Sequence, residues 1–300
     1  MIESRTRIKD TGSDLLFNIV NYSVLTIVLV LVLFPLVYIL SASFSSPLAV
    51  ISGRVWLWPV DFNVEGYRTI FDHRLIWVGF GNSIYYAVFG TFVNVVMTIL
   101  AAYPLSRSDL YGRGIFIFLF VFTMMFSGGL IPTYLLVQDV GLLNTRWALI
   151  IPGAIGIWNL LITITFFRTT IPQELLEAAQ LDGCNDFRFV LSIVLPLSKP
   201  IIAVIALFYA MNHWNQYFNA LIYLNDPNMY PLQLILRDIL IQNEVSIEMM
   251  GDLESMIARD ALRELLKFSL IVVATAPVMA VYPFVQKHFV KGMMIGSLKG

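Results

Sequence analysis

Long apolar runs separated by short polar stretches dominate the chain. Residues 15–42 are apolar almost throughout, long enough for a tilted helix across a hydrocarbon core of about 30 Å. Pro35 lies inside this run, where a kink is tolerated if neighbouring helices reclaim the freed carbonyl. Runs of similar character cover 76–105, 115–137, 147–167, 201–224 and 268–285. The pattern predicts an all-α membrane protein with six transmembrane helices. The first run is too long for a cleaved signal and no small-residue cleavage site closes it, so it is expected to remain as the first span.

The polar stretches set the expected topology. Arg5, Arg7 and Lys9 precede the first span and place the N-terminus in the cytoplasm. Residues 43–75 are then extracytoplasmic; Trp56, Trp58 and Pro59 suit an interfacial aromatic belt, and 62–71 reads as a short surface helix. Arg107 and Arg113 flank a Tyr111-Gly112 turn in a short inner loop, and Gly141 and Asn144 break the chain in an outer turn over 139–146. Residues 225–267 form an outer insertion, with a turn at Asp226-Pro227-Asn228, a helix over 231–243 and a second, more charged helix over 244–267. Six spans return the C-terminus, with Lys287, Lys291 and Lys299, to the cytoplasm. The chain thus divides into 1–75 (tail, first span and outer loop), a transmembrane core over 76–288, and a tail over 289–300.

Three spans carry more than apolar filler. The second opens with Asn82-Ser83 and holds Gly90, Thr91, Asn94 and Thr98, small or polar residues that suit close helix packing in lipid. The third holds Ser127-Gly128-Gly129 and Pro132, which weaken the helix locally as a hinge, a pore-facing break or a packing notch. The fifth changes character halfway: Asn212, Trp214, Asn215, Gln216, Tyr217 and Asn219 crowd its outer half. Amides facing lipid are costly, so these residues are expected to line a water-filled path or to bond another helix. On a continuous helix Asn212, Asn215, Gln216 and Asn219 share one face, while Trp214 and Tyr217 fit interfacial anchoring equally well.

Composition narrows the chemistry. Hydrophobic residues make up 58% of the chain and charged residues 13%, leaving no basic surface for nucleic acid at a net charge of −1. The single cysteine, Cys184, permits no intrachain disulfide, and His73, His213 and His288 lack ligand spacing, so no metal or cofactor is implied. No GxxxxGK[ST] loop is present, so energy must come from another subunit. Spans almost free of Asp, Glu, Lys and Arg, without internal hydropathy symmetry, argue against a secondary transporter; the lack of a filter-like loop argues against a channel.

Residues 170–200 form a helical knuckle between the fourth and fifth spans. Pro172 suits the first turn of a helix, Leu175, Leu176, Ala179 and Leu181 fall largely on one side, and Gly183 ends it in a left-handed cap. A second helical piece starts near Asn185 or Asp186 and runs to Pro196. Small Ala178 and Ala179 are expected at the tip, where another protein can come close.

The spacing E-A-A-x3-G-x9-I-x-L-P, carried by Glu177, Ala178, Ala179, Gly183, Ile193, Leu195 and Pro196, resembles the coupling loop of binding-protein-dependent ABC importer permeases. Asn82-Ser83, Pro132 before Gly141-Leu142-Leu143-Asn144-Thr145, Trp214-Asn215 and the terminal Lys299-Gly300 are similar to the carbohydrate-importing, maltose-permease-like branch. The resemblance implies an ABC importer type I permease that pairs with a second permease subunit, a cytoplasmic ATPase dimer and an extracytoplasmic solute-binding protein. It also implies that Glu177, Ala178, Ala179, Asp182, Gly183, Ile193, Leu195 and Pro196 couple the chain to the ATPase, and that the C-terminal tail approaches it. The outer insertion is similar to that of permeases for oligosaccharides or acidic sugar polymers.

Overall fold

The computed structural model describes residues 12–245 and 253–297; the tail bearing Arg5, Arg7 and Lys9 and the terminal Lys299-Gly300 lie outside them. In chain order the helices are α1 (Gly12–Ser43), α2 (Pro47–Ile51), α3 (Glu65–Asp72), α4 (Arg74–Ser106), α5 (Arg113–Met125), α6 (Leu130–Asp139), α7 (Ile157–Thr170), α8 (Gln173–Leu181), α9 (Asp186–Leu197), α10 (Lys199–Trp214), α11 (Phe218–Tyr223), α12 (Leu232–Val245) and α13 (Leu253–Ser297). Among the described residues there is no strand.

Among the described residues three helices are long and apolar enough to cross a membrane unaided: Gly12–Ser43, Arg74–Ser106 and the Asp260–Pro283 part of α13. Two more spans arise if each bent pair, α5 with α6 and α9 with α10, counts as one. All six predicted apolar segments are helical, but their continuity differs from expectation. The third segment turns by 117° between α5 and α6, because Gly129 takes φ 88°, ψ 177°, a conformation closed to residues with a side chain. In the fourth, a 3-10 turn at Arg146–Leu149 precedes a helix of only 14 residues, α7. The fifth is cut between Trp214 and Phe218. Conversely, the expected boundary near Lys267 between a charged helix and the sixth span is absent: α13 passes through it unbroken.

The chain forms two compact units, one of residues up to Ile70 with Asn243–Val273, the other of Phe71–Gln242 with the chain from Ala274. In the first, α1 is exposed along nearly its whole length and apolar on every side, as a helix facing lipid or another membrane subunit must be. Its end is tied down: Ser45 Oγ donates to Ser41 O and accepts from Val60 N, and Ser41 Oγ donates to Leu57 O. Ala42, Ala49, Val50, Val55 and Leu265 are buried together there, flanked by Tyr38 and Phe268.

The second unit carries the rest of the core. Ile99, Ala102 and Leu105 of α4, Leu160, Ile164 and Phe167 of α7, and Ile201, Ile205 and Tyr209 of α10 are buried together. Lipid tails are as apolar as leucine, so burial alone gives little drive and polar side chains specify the fit. Asn94 Nδ2 donates to Gly153 O at 2.6 Å, and Tyr209 OH bonds Thr98 Oγ1 and accepts from Gly156 N. At the other end Asn82 Nδ2 donates to Asn228 O and Tyr230 O, its Oδ1 accepts from Arg146, and Ser83 Oγ accepts from Leu232 N. Asn144, at φ 54°, accepts from Asn225 N and Asp226 N. Asn82, Ser83 and Asn144, three of the residues that carry the family resemblance, also clamp the 225–232 loop.

Candidate functional site

The knuckle after the fourth segment is built by backbone chemistry. Pro172 caps α8 in an extended conformation, φ −60°, ψ 150°, rather than lying in its first turn. At the other end Gly183 N donates to Gln180 O and Cys184 N to Ala179 O, at 3.0 and 2.9 Å, the paired bonds of a Schellman motif. Gly183 has φ 75°, as that motif requires at its turn. Two residues later Asn185 Oδ1 accepts from Arg188 N at 2.8 Å and starts α9. Two short helices are thereby joined by a turn with almost no freedom.

The knuckle is anchored by one face and open on the other. Leu176, Ala179, Phe189 and Val194 are buried in the α4–α7–α10 core, and half-buried Ile193 and Leu195 pack beside them. Ala179 is therefore an anchor and not part of the exposed tip, because its position two residues past Glu177 turns it inward. Leu181 also departs from expectation, at 90% exposure, since the terminating turn carries it off the apolar face. Glu177, Ala178, Asp182, Gly183 and Pro196 are exposed, and Phe187 is 70% exposed. The sequence placed Leu181 with the apolar side of α8; its exposure follows from the cap.

The knuckle's second arm, α9, meets α10 at an angle of 83°. Ser198 sits at this corner between Pro196 and Pro200; it is fully buried, and its Oγ has no hydrogen-bond partner among the described residues.

At the far end of α10 the polar cluster divides. The helix stops at Trp214, so the continuous face expected of Asn212, Asn215, Gln216 and Asn219 does not exist: Asn215 is the C-cap and Asn219 belongs to α11. Trp214 is buried, and its indole N–H donates to Ala274 O at 3.1 Å. Gln216 is half-buried, bonded to His213 Nδ1 and donating to Leu149 O. Asn215 Nδ2 donates to Met211 O. Asn212, Tyr217 and Asn219 are exposed. His213, in the same cluster but not among the residues expected along the path, is buried and bonds Asn94 Oδ1 through Nε2 at 3.0 Å. Among the described residues, no group of His, Cys, Asp and Glu could hold a metal ion.

Comparison with known proteins agrees with this geometry. Residues 76–295 match the family model "Binding-protein-dependent transport system inner membrane component". The chain is 46% identical over 286 residues to the polygalacturonan/rhamnogalacturonan transport system permease protein YtcP of Bacillus subtilis (strain 168), covering 95% of this chain and 99% of that one. It is 40% identical over 291 residues to protein LplC of the same organism, covering 97% of each. Its fold matches a crystal structure of a bacterial ABC transporter involved in the import of the acidic polysaccharide alginate, with a TM-score of 0.83 and 34% identity over 94% of this chain and 99% of that one. With the family's domain spanning its membrane core and the knuckle within it, the chain belongs to the binding-protein-dependent transport system inner membrane components, as a multi-pass ABC permease.

Proposed function

We propose that the chain is one of two permease subunits of an ATP-driven importer of oligosaccharides, and that its cargo derives from an acidic polysaccharide. The observation that carries the reading is the Schellman-capped knuckle, exposing Glu177, Ala178, Leu181, Asp182 and Phe187 on a rigid arm that leads into α10. An ATPase cleft that closes on this knuckle would turn α9 and α10 together. The chain contains no phosphate-cradling loop, so ATP is hydrolysed by a separate cytoplasmic ATPase dimer. A solute-binding protein delivers the cargo from the outer side, and both termini lie in the cytoplasm.

The path is formed with the second permease, and Asn212, Asn215, Tyr217 and Asn219 supply exposed amides and a phenol to its wall. Such groups bond sugar hydroxyls without demanding one sugar. The acidic cargo is supported by YtcP, named for polygalacturonan and rhamnogalacturonan, and by the alginate importer.

Cross-linking tests the coupling. In a Cys184→Ala background, Ala178→Cys should cross-link to the ATPase in the assembled complex, whereas Asn225→Cys should not. Equal yields at both positions would reject the assignment of the knuckle. Uptake of labelled oligogalacturonate by cells expressing the complex, against a neutral oligosaccharide of equal length, tests the cargo.

A further inference from the structure

Beside α8, three arginines meet at a cavity of about 280 Å³ that no carboxylate lines. Arg107 follows α4, Arg113 begins α5 and Arg168 lies in the last turn of α7. Arg113 Nη1 donates to Arg107 O at 2.9 Å and Arg168 Nη2 to Leu105 O at 3.1 Å, so each is held by a backbone carbonyl and keeps further N–H groups for a ligand. Arg107 alone is neutralised: Nε and Nη2 each lie 3.0 Å from the carboxylate of Asp109. Burial and the neighbouring Arg113 charge both hold Arg168 below its ordinary range. Pro172 and Gln173 complete the wall with the N-terminus of α8, which no side chain caps.

A second cavity, of about 780 Å³, shares Tyr103 and Arg107 with the first. Ile99 and Leu100 of α4 and Leu191 and Leu195 of α9 give it an apolar wall, and Arg107, Asp109, Gln180 and Asp186 line it as well. Ile99 and Leu100 belong to a helix long and apolar enough to span the membrane, so this groove leads from the arginines towards membrane depth. A free phosphate would satisfy the arginines and leave the groove empty. An amphiphile fills both.

We propose that the two cavities together bind one anionic phospholipid of the cytoplasmic leaflet, its phosphate between Arg113 and Arg168 and an acyl chain along Leu100 and Leu191. Basic pockets beside membrane helices on the cytoplasmic side take such headgroups. The proposal rests on the reading that α8 faces the cytoplasm and its ATPase. A lipid held there braces the root of the knuckle and makes coupling sensitive to leaflet composition.

Native mass spectrometry of the assembled importer, purified with phosphatidylglycerol, tests the site. The wild type should retain one phosphatidylglycerol on this subunit. The R113Q/R168Q variant should lower retention about tenfold or more, as expected for lost charge-assisted bonds. Leu100→Trp should lower it by filling the groove with the arginines intact. Asp109→Asn should raise it, because Arg107 then adds its charge to the cavity. Equal retention in the wild type, R113Q/R168Q and Leu100→Trp would overturn the proposal. So would binding of inorganic phosphate, in phosphatidylcholine alone, that R113Q/R168Q abolishes while phosphatidylglycerol is never retained. Should R113Q/R168Q fail to assemble, Leu100→Trp and Asp109→Asn decide. Copurification of the ATPase is scored separately: its absence from the wild-type complex overturns the coupling reading and leaves lipid retention by this chain still measurable.

Discussion

Gly90 lies against the imidazole of His213, so close that a Cβ at Gly90 would stand 2.5 Å from Nε2 and 2.7 Å from Cε1. The helix of the second span widens into a π-turn over Tyr86–Gly90, and His213 seats against that turn. Such one-turn bulges relax the ladder enough to admit a side chain from a neighbouring helix. Gly90→Ala must displace the ring and break its bond to Asn94. Overpacking of this kind costs about 1–3 kcal/mol. Thermal unfolding of the detergent-purified complex should occur at lower temperature, and an unchanged melting curve would show that the contact is not tight.

At the knuckle, Gly183 has open space where a Cβ would stand but a left-handed φ of 75°. Strain alone therefore penalises Gly183→Val, by about 1–2 kcal/mol. The turn should open and ATPase copurification should fall. Gly183→Asn, which tolerates that conformation, should restore most of it. If both variants behave like the wild type, the cap has no part in docking.

Ser198 gives a prediction of opposite sign. Burying an unpaired hydroxyl costs about 1–3 kcal/mol, and its Oγ has no partner among the described residues. Ser198→Ala should match or exceed the wild type in thermal stability. A marked loss of thermal stability would show instead that the hydroxyl finds a hydrogen-bond partner within the corner.

The polar residues past α10 separate by role. Trp214→Phe removes the N–H given to Ala274 O and should lower stability by about 0.5–1.5 kcal/mol, with uptake per assembled complex unchanged. Asn219→Ala removes an exposed amide and should reduce uptake a few-fold at unchanged complex yield. Reversed phenotypes would move the path away from α11.

Purified alone in lipid, the chain should neither bind nor hydrolyse ATP, since no glycine-rich loop of the phosphate-binding kind is present. Fluorescent-nucleotide titration of the isolated subunit checks this directly.

The amino-acid sequence by itself determined the all-helical membrane character, because apolar runs of this length have few other solutions in lipid. It also determined the knuckle, because Pro172, Gly183 and Asn185 act on the backbone within a few residues of themselves. The tertiary structure decided what depends on distant partners. Whether Trp214 donates to Ala274 and where α10 ends are set by neighbours far along the chain, which local periodicity does not contain. The same holds for Arg107, Arg113 and Arg168: as sequence they are three ordinary loop-end charges, and only the packing of α4, α5, α7 and α8 brings them to one cavity.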